Sequence, residues 1–246
     1  MTAAPDAASL PLPVIAIRPE PGLSATLAQA RALGLAIDGF ALFEGEQVPW
    51  TPPAPAAFTA LLAGSAALFR LGGPGLETLR ALPVHAVGEA TADAARAAGF
   101  AVATTGEGGL DPLTSQLPAG RYLRLAGEAH VPLHPAPGVE ICTRVVYRMA
   151  ARPLSPNLQH LLEAPALVLL HSGEAARHFA DQCDRNGIDR SAITLACLAP
   201  RIAEMAGSPW ADVVVAAQRT DSALLALAGQ MCKTGPDRGA DRRKKR

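Results

Sequence analysis

The sequence predicts an α/β protein built from two mostly parallel sheets. Short apolar segments alternate with helical segments, and a strand followed repeatedly by a helix is typical of βαβ units with parallel strands. The elements are too many for one ordinary sheet. A similarity between Val87–Asp93 and Leu198–Glu204 also indicates two related halves, because each segment follows a predicted strand and opens a predicted helix.

The composition predicts a folded core and argues against nucleic-acid binding. Of the 246 residues, 49% are hydrophobic and only 4% are aromatic, so Leu, Val and Ala must form most of the core. The net charge is +0, but all three lysines follow Cys232. Residues 1–232 carry 15 Arg against 20 acidic residues, and an acidic, lysine-free fold does not match a nucleic-acid surface.

Membrane insertion, secretion and disulfide bonding are not expected. The uncharged segment Thr51–Phe69 is interrupted by three prolines and leaves too few residues for a spanning helix. Met1–Pro13 contains no basic residue, unlike a signal peptide. The four cysteines are widely spaced without a C-x-x-C motif, which favours reduced thiols. We therefore expect a cytoplasmic protein.

The first elements of the chain are a strand, a helix and a connector. Val14–Ile17 is a short apolar strand that ends at Arg18-Pro19, and Ser24–Leu33 is a helix that ends before Gly34. Residues 40–55 show no clear period and have four prolines near their end, which indicates a connector.

Strands and helices alternate through the rest of the chain. The predicted strands are Ala67–Leu71, Val84–Val87, Ala101–Ala103, Tyr122–Leu125, Val139–Tyr147, Leu167–His171, Ile193–Cys197 and Val213–Ala216. The predicted helices are Leu76–Leu82, Thr91–Ala98, Leu110–Leu117, Ala175–Asn186, Ile202–Ala206 and Asp221–Met231. The first strand has no counterpart in this alternation, and it is free to complete the sheet of the second half.

This order predicts a discontinuous first domain with a second domain inserted into it. The first domain comprises residues 1–40 and 150–232, and the inserted domain comprises residues 50–147. Residues 41–49 and 148–149 are the connectors. The basic residues at 233–246 are expected to form a disordered tail.

Standard signatures of catalysis, metal binding and nucleotide binding are missing from the sequence. The glycine-rich segments Gly72–Gly75 and Gly106–Gly109 match neither nucleotide-binding motif. His130 and His134 have the spacing of a helical metal site, but Pro132 interrupts the helix between them. We find no catalytic triad, paired carboxylates or metal cluster, and a cofactor-free mechanism without strong general acid or base groups is consistent with this absence.

The predicted strand-to-helix corners are the strongest candidates for ligand binding. In an open parallel sheet ligands bind at the carboxyl edge, where helix N-termini present free N–H groups to carboxylates or phosphates. Small residues follow several strands, namely Gly72-Gly73, Gly88, Gly127, Ser172-Gly173 and Ala199-Pro200. Arg18, Arg124 and Arg148 are suited to bidentate contacts with carboxylates. Ordinary helix capping is the alternative interpretation of each corner.

Tyr147 is the other candidate. It is one of two tyrosines and ends the long predicted strand Val139–Tyr147, just before the chain returns to the second half. The structural interpretation is that this amphipathic side chain only covers a domain boundary. The functional interpretation is a phenol that faces a cleft between the domains.

These residues form an ordered set that resembles the uroporphyrinogen-III synthase family. The resemblance covers most of Val14–Leu227. In order, the set comprises Arg18-Pro19, Val87–Ala92 with Gly99, Leu123–Glu128, Val145–Arg148, Leu169–Ala175, Val215–Ala217 and Thr220–Leu225. No single motif is unique to the family, but the order is specific.

The resemblance implies two doubly wound, mostly parallel α/β domains joined by a short two-stranded connector. The active site is then the cleft between the domains. There the linear tetrapyrrole hydroxymethylbilane is cyclised to uroporphyrinogen III, with loss of water and inversion of ring D. The family uses no cofactor and no metal. The implied partners are this substrate and product, with a possible transient contact with hydroxymethylbilane synthase, and the implied state is a monomer.

The resemblance also assigns roles to residues. Tyr147 is the catalytic residue that helps the hydroxyl leave, and Thr91 and Ser172 bind substrate carboxylates. The other expected substrate-binding residues are Arg18, Gly88, Arg124, Gly127, Gly173 and Thr220. A site of arginines and helix N-termini suits a substrate with eight carboxylates.

Two departures from the family keep alternatives open. The family usually has a Thr-Ser pair after the first strand of the inserted domain, where the predicted strand is followed by Leu71-Gly72-Gly73-Pro74. In the other domain His171 precedes Ser172, where Thr is common. A non-catalytic tetrapyrrole-binding protein of the same fold is therefore the alternative. An unrelated periplasmic-type binding protein is disfavoured by the missing signal peptide.

Overall fold

The computed structural model describes residues 12–234, and this part of the chain alternates strands and helices. The strands are β1 (Val14–Ile17), β2 (Asp38–Phe40), β3 (Phe43–Gln47), β4 (Ala60–Ala63), β5 (Val84–Ala86), β6 (Val102–Thr105), β7 (Gly120–Gly127), β8 (Val139–Ala151), β9 (Ala166–Leu170), β10 (Ile193–Cys197) and β11 (Asp212–Val215). The helices are α1 (Gly22–Ala32), α2 (Ala67–Leu71), α3 (Glu89–Ala97), α4 (Leu110–Thr114), α5 (Pro156–Leu161), α6 (Gly173–Arg185), α7 (Pro200–Ala206) and α8 (Asp221–Thr234).

The chain divides into two compact units. Unit 1 contains the described residues up to Glu44 and from Ala151 onward, and unit 2 contains Gly45–Ala150. The predicted connector 41–49 contains β3, and the predicted connector 148–149 lies inside β8. Helix α8 includes the first two residues of the predicted tail, so the prediction of disorder is wrong for those two, and residues 235–246 lie outside the described residues.

Unit 1 is built on a five-stranded parallel sheet in the order β11-β10-β9-β1-β2. All five residues of β9 and all four of β1 are buried. Alternate side chains enter opposite cores: Ile15 and Ile17 pack in one cluster, and Val14 and Ala16 in the other. Strands covered on both faces are continuous apolar runs, which is why the sequence identifies them readily.

Unit 2 is built on a six-stranded sheet in the order β3-β8-β7-β4-β5-β6. Strands β8, β7, β4, β5 and β6 are parallel to their neighbours in this order. Leu61 and Leu123 pack in one core, while Leu62 and Tyr122 pack in the other. The fold class of mostly parallel α/β structure is therefore confirmed.

The first strand of unit 2 differs from the prediction. Ala67–Leu71 is helix α2, and the strand is the preceding β4, Ala60–Ala63, whose four residues are all buried. Both segments are short and rich in Ala and Leu, so composition does not separate them. Gly64-Ser65 breaks the chain between them, and the Ser65 hydroxyl oxygen accepts a hydrogen bond from the Ala67 N–H at 3.2 Å.

This correction reduces the departure from the expected Thr-Ser pair to its first residue. The corner after the first strand of unit 2 is Gly64-Ser65, which includes a hydroxyl. Leu71-Gly72-Gly73-Pro74 instead follows α2, where the Gly72 N–H donates to the Leu68 carbonyl at 2.8 Å and a 3₁₀ turn begins at Pro74. A single Ser therefore stands where the sequence analysis placed a corner without a hydroxyl, and the Thr of the expected pair is replaced by Gly64.

Smaller differences concern element ends and short helices. The predicted helix Leu76–Leu82 is a 3₁₀ segment at Pro74–Leu79, and the helix from Leu110 ends at Thr114. The region predicted as a connector also contributes to β2 and contains β3, and α5 was not predicted. The other predicted strands and helices are confirmed, with ends shifted by a few residues.

Two further observations limit the chemistry of the chain. Within residues 12–234, no helix combines the length and the apolar character needed to cross a bilayer. All four cysteines are free, and burial raises the pKa of Cys183 to about 12 and that of Cys197 to about 11. Thiols with such pKa values are not nucleophiles at neutral pH.

The burial of β4 predicts a large loss of stability on truncation. Leu62 is 0% exposed in the centre of the sheet, so Leu62→Ala is expected to lower the free energy of unfolding by about 2–5 kcal/mol. Leu33 is 56% exposed, and Leu33→Ala is the matched control, with an expected change within about 0.5 kcal/mol. Urea unfolding followed by circular dichroism measures both. Equal changes would contradict the assignment of β4 to the core.

Candidate active site

The carboxyl edge of the unit 2 sheet surrounds a cavity of about 450 Å³. Its wall is formed by the corners after β4 and β5, the end of β7, the start of α4, the loop 129–133 and one residue of β8. Parallel strands bring all their carboxyl ends to one edge, which explains why residues far apart in sequence meet here. The polar side chains in the wall belong to Ser65, Asp111, Arg124, His130 and Tyr147.

Arg124 is the buried cation of this cavity. It lies on β7 and is only 6% exposed. Its Nη1 donates to the Val131 carbonyl at 2.8 Å, whereas its buried Nε has no hydrogen-bond partner in the described part of the chain. Burial lowers the pKa of Arg124, and the nearby Asp111 and Tyr147 oppose this shift. A guanidinium remains charged in proteins, so Arg124 has capacity for an anion.

Tyr147 reaches the cavity because β7 and β8 change register. Ala126 pairs with Val145, but Gly127 pairs with Tyr147, so one residue of β8 is skipped. Such a bulge turns the following side chain. The ring lies against Gly127, where an added Cβ would stand 2.8 Å from the Tyr147 Cζ atom. The Tyr147 hydroxyl makes no hydrogen bond with any residue in the range 12–234.

Gly64 and Ser65 are site residues that the sequence reasoning missed. Both line the cavity after β4. A Cβ on Gly64 would approach the Leu110 Cδ1 atom to 2.9 Å, so glycine allows α4 to pack closely. The signal was the Gly-Ser pair after four apolar residues, but the misplaced strand concealed it.

Gly88 and Thr91 lie beside the cavity and not in its wall. Gly88 precedes α3, and its carbonyl accepts hydrogen bonds from the N–H groups of Thr91 and Ala92, both at 3.0 Å. Thr91 is 5% exposed in the first turn of this helix. The preceding residue, Val87, does line the cavity.

Asp111 fastens the loop that covers part of the cavity. Its Oδ1 accepts a hydrogen bond from the His134 N–H at 2.8 Å, and its Oδ2 lies 3.3 Å from the His134 Nδ1. The hydrogen bond from the backbone of His134 is the main reason that the pKa of Asp111 is lowered, so the carboxyl is ionised at neutral pH. The sequence analysis argued against a helical metal site at His130 and His134 and did not predict the contact of His134 with Asp111. No described group of side chains forms a metal site.

In unit 1, Arg18 and Asp221 lie at the carboxyl edge of the sheet with two further polar residues. Arg18 Nη1 donates to Asp221 Oδ2 at 3.1 Å and to Thr26 Oγ1 at 2.9 Å. The Thr26 hydroxyl donates to Asp221 Oδ2 at 2.7 Å, and His171 Nε2 lies 2.7 Å from Asp221 Oδ1. Arg18, expected to bind substrate, is thus already paired with a carboxylate, although 31% of its side chain is exposed.

The pKa values in this group follow from burial and pairing. Burial alone raises the pKa of Asp221, but hydrogen bonds from Thr26 and His171 and the charge of Arg18 outweigh it and lower the value. The His171 side chain is 6% exposed, and burial lowers its pKa despite the hydrogen bond to Asp221. His171 is therefore neutral at neutral pH.

The other predicted residues of unit 1 cap helices at the same edge. The Ser172 hydroxyl oxygen accepts from the Ala175 N–H at 3.2 Å at the start of α6. The Thr220 hydroxyl oxygen accepts from the Ala223 N–H at 3.3 Å at the start of α8. A Cβ on Gly173 would overlap the thioether of Met205, so the Met205 side chain packs directly against the backbone of this glycine.

Arg148 does not join the site. It follows Tyr147 on β8 and pairs with Glu46 at 2.8 Å. The structure thus brings Arg124, Gly127 and Tyr147 together in unit 2, and it brings Arg18, Ser172, Gly173 and Thr220 to one edge of unit 1.

One known protein family matches most of this chain. The sequence profile of the family described as uroporphyrinogen-III synthase HemD matches residues 56–226, which is more than half of the chain. The chain belongs to the uroporphyrinogen-III synthase family. Membership assigns to it the cyclisation of hydroxymethylbilane in tetrapyrrole biosynthesis, the reaction of a cyclising lyase.

A solved structure from Helicobacter pylori 26695 shows the same fold. This uroporphyrinogen-III synthetase is 18% identical, with a TM-score of 0.60 over 89% of this chain and 100% of that chain. A mutant uroporphyrinogen III synthase of the extremely thermophilic bacterium Thermus thermophilus is also 18% identical, with a TM-score of 0.46 over 91% of this chain and 100% of that chain. The comparison with curated proteins found no match.

Burial of neutral His171 predicts a pH-dependent stability of unit 1. Because the pKa of His171 is lower in the folded protein, His171 of the unfolded chain is protonated at a higher pH than His171 of the folded protein. The difference begins as the pH falls below about 6.5. The stabilisation is therefore complete above that pH and is lost as the pH falls through the lower folded-state value. His171→Gln keeps a donor for Asp221, so it is expected to flatten the decrease in the free energy of unfolding between pH 7 and pH 5.

The control for this prediction is His160→Gln. The His160 side chain is 79% exposed, and its substitution should leave the pH dependence unchanged. Urea unfolding at several pH values measures the free energy. If wild type and His171→Gln lose stability in parallel on acidification, another group carries the effect.

Proposed function

We propose that the cavity of unit 2 contains the reacting end of hydroxymethylbilane and that Tyr147 protonates its leaving hydroxyl. The observation that supports this role is the location of Tyr147 in the same cavity wall as Arg124, whose Nε has no partner among residues 12–234. A general acid must lie near the group that it protonates, and a phenol without a competing hydrogen bond satisfies this requirement.

In the proposed first step, the Tyr147 hydroxyl gives its proton to the substrate hydroxyl. The carbon–oxygen bond breaks, water leaves, and the pyrrole nitrogen shares its electron pair to form an azafulvene cation. The resulting phenolate lies near the Arg124 guanidinium, and this charge interaction stabilises it.

Ring closure then restores the proton. The substituted carbon of ring D attacks the cation and forms a spiro intermediate, which rearranges so that ring D is inverted. Closure of the macrocycle at the free position releases a proton, and the Tyr147 phenolate takes it. The bilane cyclises spontaneously without inversion, so the enzyme acts chiefly by fixing the geometry of attack.

The substrate carboxylates require several anion-binding groups. In unit 2, the proposed contacts are Arg124, the backbone of Gly127 and Gly88, and Thr91 beside the cavity. We add Ser65 to these contacts because it lines the cavity. In unit 1, the proposed contacts are the exposed part of Arg18 and the corner residues Ser172, Gly173 and Thr220. Free N–H groups at helix starts suit carboxylates.

Other aspects of the function stay predictions. These are the cleft between the domains as the binding site, the monomeric state, the cytoplasmic location and a transient contact with hydroxymethylbilane synthase. A non-catalytic protein that binds tetrapyrroles would produce no excess of the type III isomer. Supplying hydroxymethylbilane to the purified protein and separating type I from type III porphyrins after oxidation distinguishes it from the enzyme.

The proposed proton donor predicts a selective loss of turnover. Tyr147→Phe removes only the hydroxyl, which has no hydrogen bond in the described structure. It is expected to lower kcat for type III formation about 100-fold or more, with little change in the thermal midpoint. Equal loss of activity and stability would show that Tyr147 serves packing. The control is Tyr122→Phe, which removes a hydroxyl that donates to the Pro118 carbonyl and should keep its turnover.

The anion-binding role of Arg124 predicts a change in affinity and in its salt dependence. Arg124→Ala is expected to weaken product binding at low salt and to reduce the loss of affinity with increasing salt. Arg121→Ala is the matched control on the same strand, because Arg121 is half exposed and paired with Glu140. Titration of product at two salt concentrations measures both. Equal affinities and salt dependences for the two variants would exclude Arg124 as a contact.

A further inference from the structure

One acidic side chain lies in the wall of the unit 2 cavity, and the proposed function leaves it without a chemical role. Asp111 is the only Asp or Glu among the residues that line this cavity, all of which belong to the described part of the chain. An anion is unexpected in a cavity that receives a substrate with eight carboxylates, since like charges repel. A function of Asp111 in the reaction would explain why the cavity contains a group that repels the substrate carboxylates.

Asp111 is fixed in place and does not neutralise the nearby arginine by an ion pair. Both carboxylate oxygens face His134, at 2.8 Å from its N–H and 3.3 Å from its Nδ1. No ion pair with Arg124 occurs in the described structure, although the two charges interact at longer range. The Asp111 side chain remains 47% exposed, so it has surface available to a ligand.

The buried Arg124 provides an independent sign that the same cavity receives a ligand. Its Nε is buried and unpartnered within residues 12–234, and its side chain is held among cavity residues. The wall of the cavity thus contains a buried cation and an exposed carboxylate. A ligand that complements both must carry a negative group and a positive or N–H-rich group close together.

We propose that Asp111 is a catalytic carboxylate that contacts the pyrrole N–H of the reacting ring and stabilises the azafulvene cation. This inference rests on the proposed function of the cavity. Loss of the hydroxyl places a positive charge on a ring nitrogen that still bears its proton. A carboxylate accepts a hydrogen bond from that N–H in the substrate, and the bond strengthens as the charge develops. No proton transfer to Asp111 is required.

The opposed charges predict an unusual kinetic result. Asp111→Asn keeps an oxygen that can accept from the His134 N–H, so the loop should stay in place. Removing the negative charge lessens repulsion of the substrate carboxylates, so KM is expected to fall or stay unchanged. Because the cation loses its stabilising charge, kcat for type III formation is expected to fall about 100-fold. Asp111→Glu keeps the charge and should recover part of the rate.

A matched variant separates chemistry from loop positioning. His134→Ala removes the side-chain contact to Asp111 but keeps both the carboxylate and the backbone N–H. It should retain kcat within about threefold, whereas a purely structural Asp111 would make the two variants behave alike. A fall in KM with kcat unchanged in Asp111→Asn would mean that Asp111 only repels substrate. Either result would overturn the proposal.

The same assay separates this inference from the proposed function. If wild type forms type III product and Tyr147→Phe is impaired but Asp111→Asn is not, only the role of Asp111 is rejected. If Tyr147→Phe and Arg124→Ala both behave as wild type, the cavity itself is not the reaction site, and both proposals fail. Circular dichroism of each variant checks that the loss is not one of folding.

Discussion

A guanidinium buried within strand β7 is the constraint on which the site in unit 2 depends. Burying a cation without an ion pair is costly. Arg124 Nη1 donates a hydrogen bond to the Val131 carbonyl, but the Arg124 Nε has no partner in the described structure. The surrounding structure must hold this charge in place without neutralising it. The parallel sheet does so by packing β7 between two covered faces, which leaves only the carboxyl edge open.

The two units treat comparable arginines in opposite ways. In unit 1, Arg18 follows β1 and is neutralised by Asp221, which also binds Thr26 and His171. That group ties together elements that are 203 residues apart in the chain, so its first effect is on stability. In unit 2, Arg124 has no such carboxylate in the described structure. The larger capacity for a new anion therefore lies in unit 2.

The sequence was sufficient for elements with a distinctive pattern and for residues that follow them directly. Buried strands such as β9 are continuous apolar runs, and Tyr147 and Arg124 were found as candidates on predicted strands. The short β4 was missed because α2 has a similar composition, and Ser65 was missed with it. The pairing of Arg18 with Asp221 and the location of Asp111 near Arg124 depend on tertiary contacts, which local patterns do not encode.

A reaction that begins with a polyanion and passes through a cation makes contradictory demands on one cavity. Cationic groups alone would bind the carboxylates well but would destabilise the developing azafulvene charge, so tight binding would slow the chemistry. A single carboxylate near a single buried arginine meets both demands if the two charges are kept apart. The hydrogen bonds from His134 to Asp111 and from Arg124 to Val131 achieve this separation, because each charge is anchored to the loop and not to the other. On the proposed roles, the loop that contains Val131 and His134 therefore preserves the charge pattern that catalysis needs.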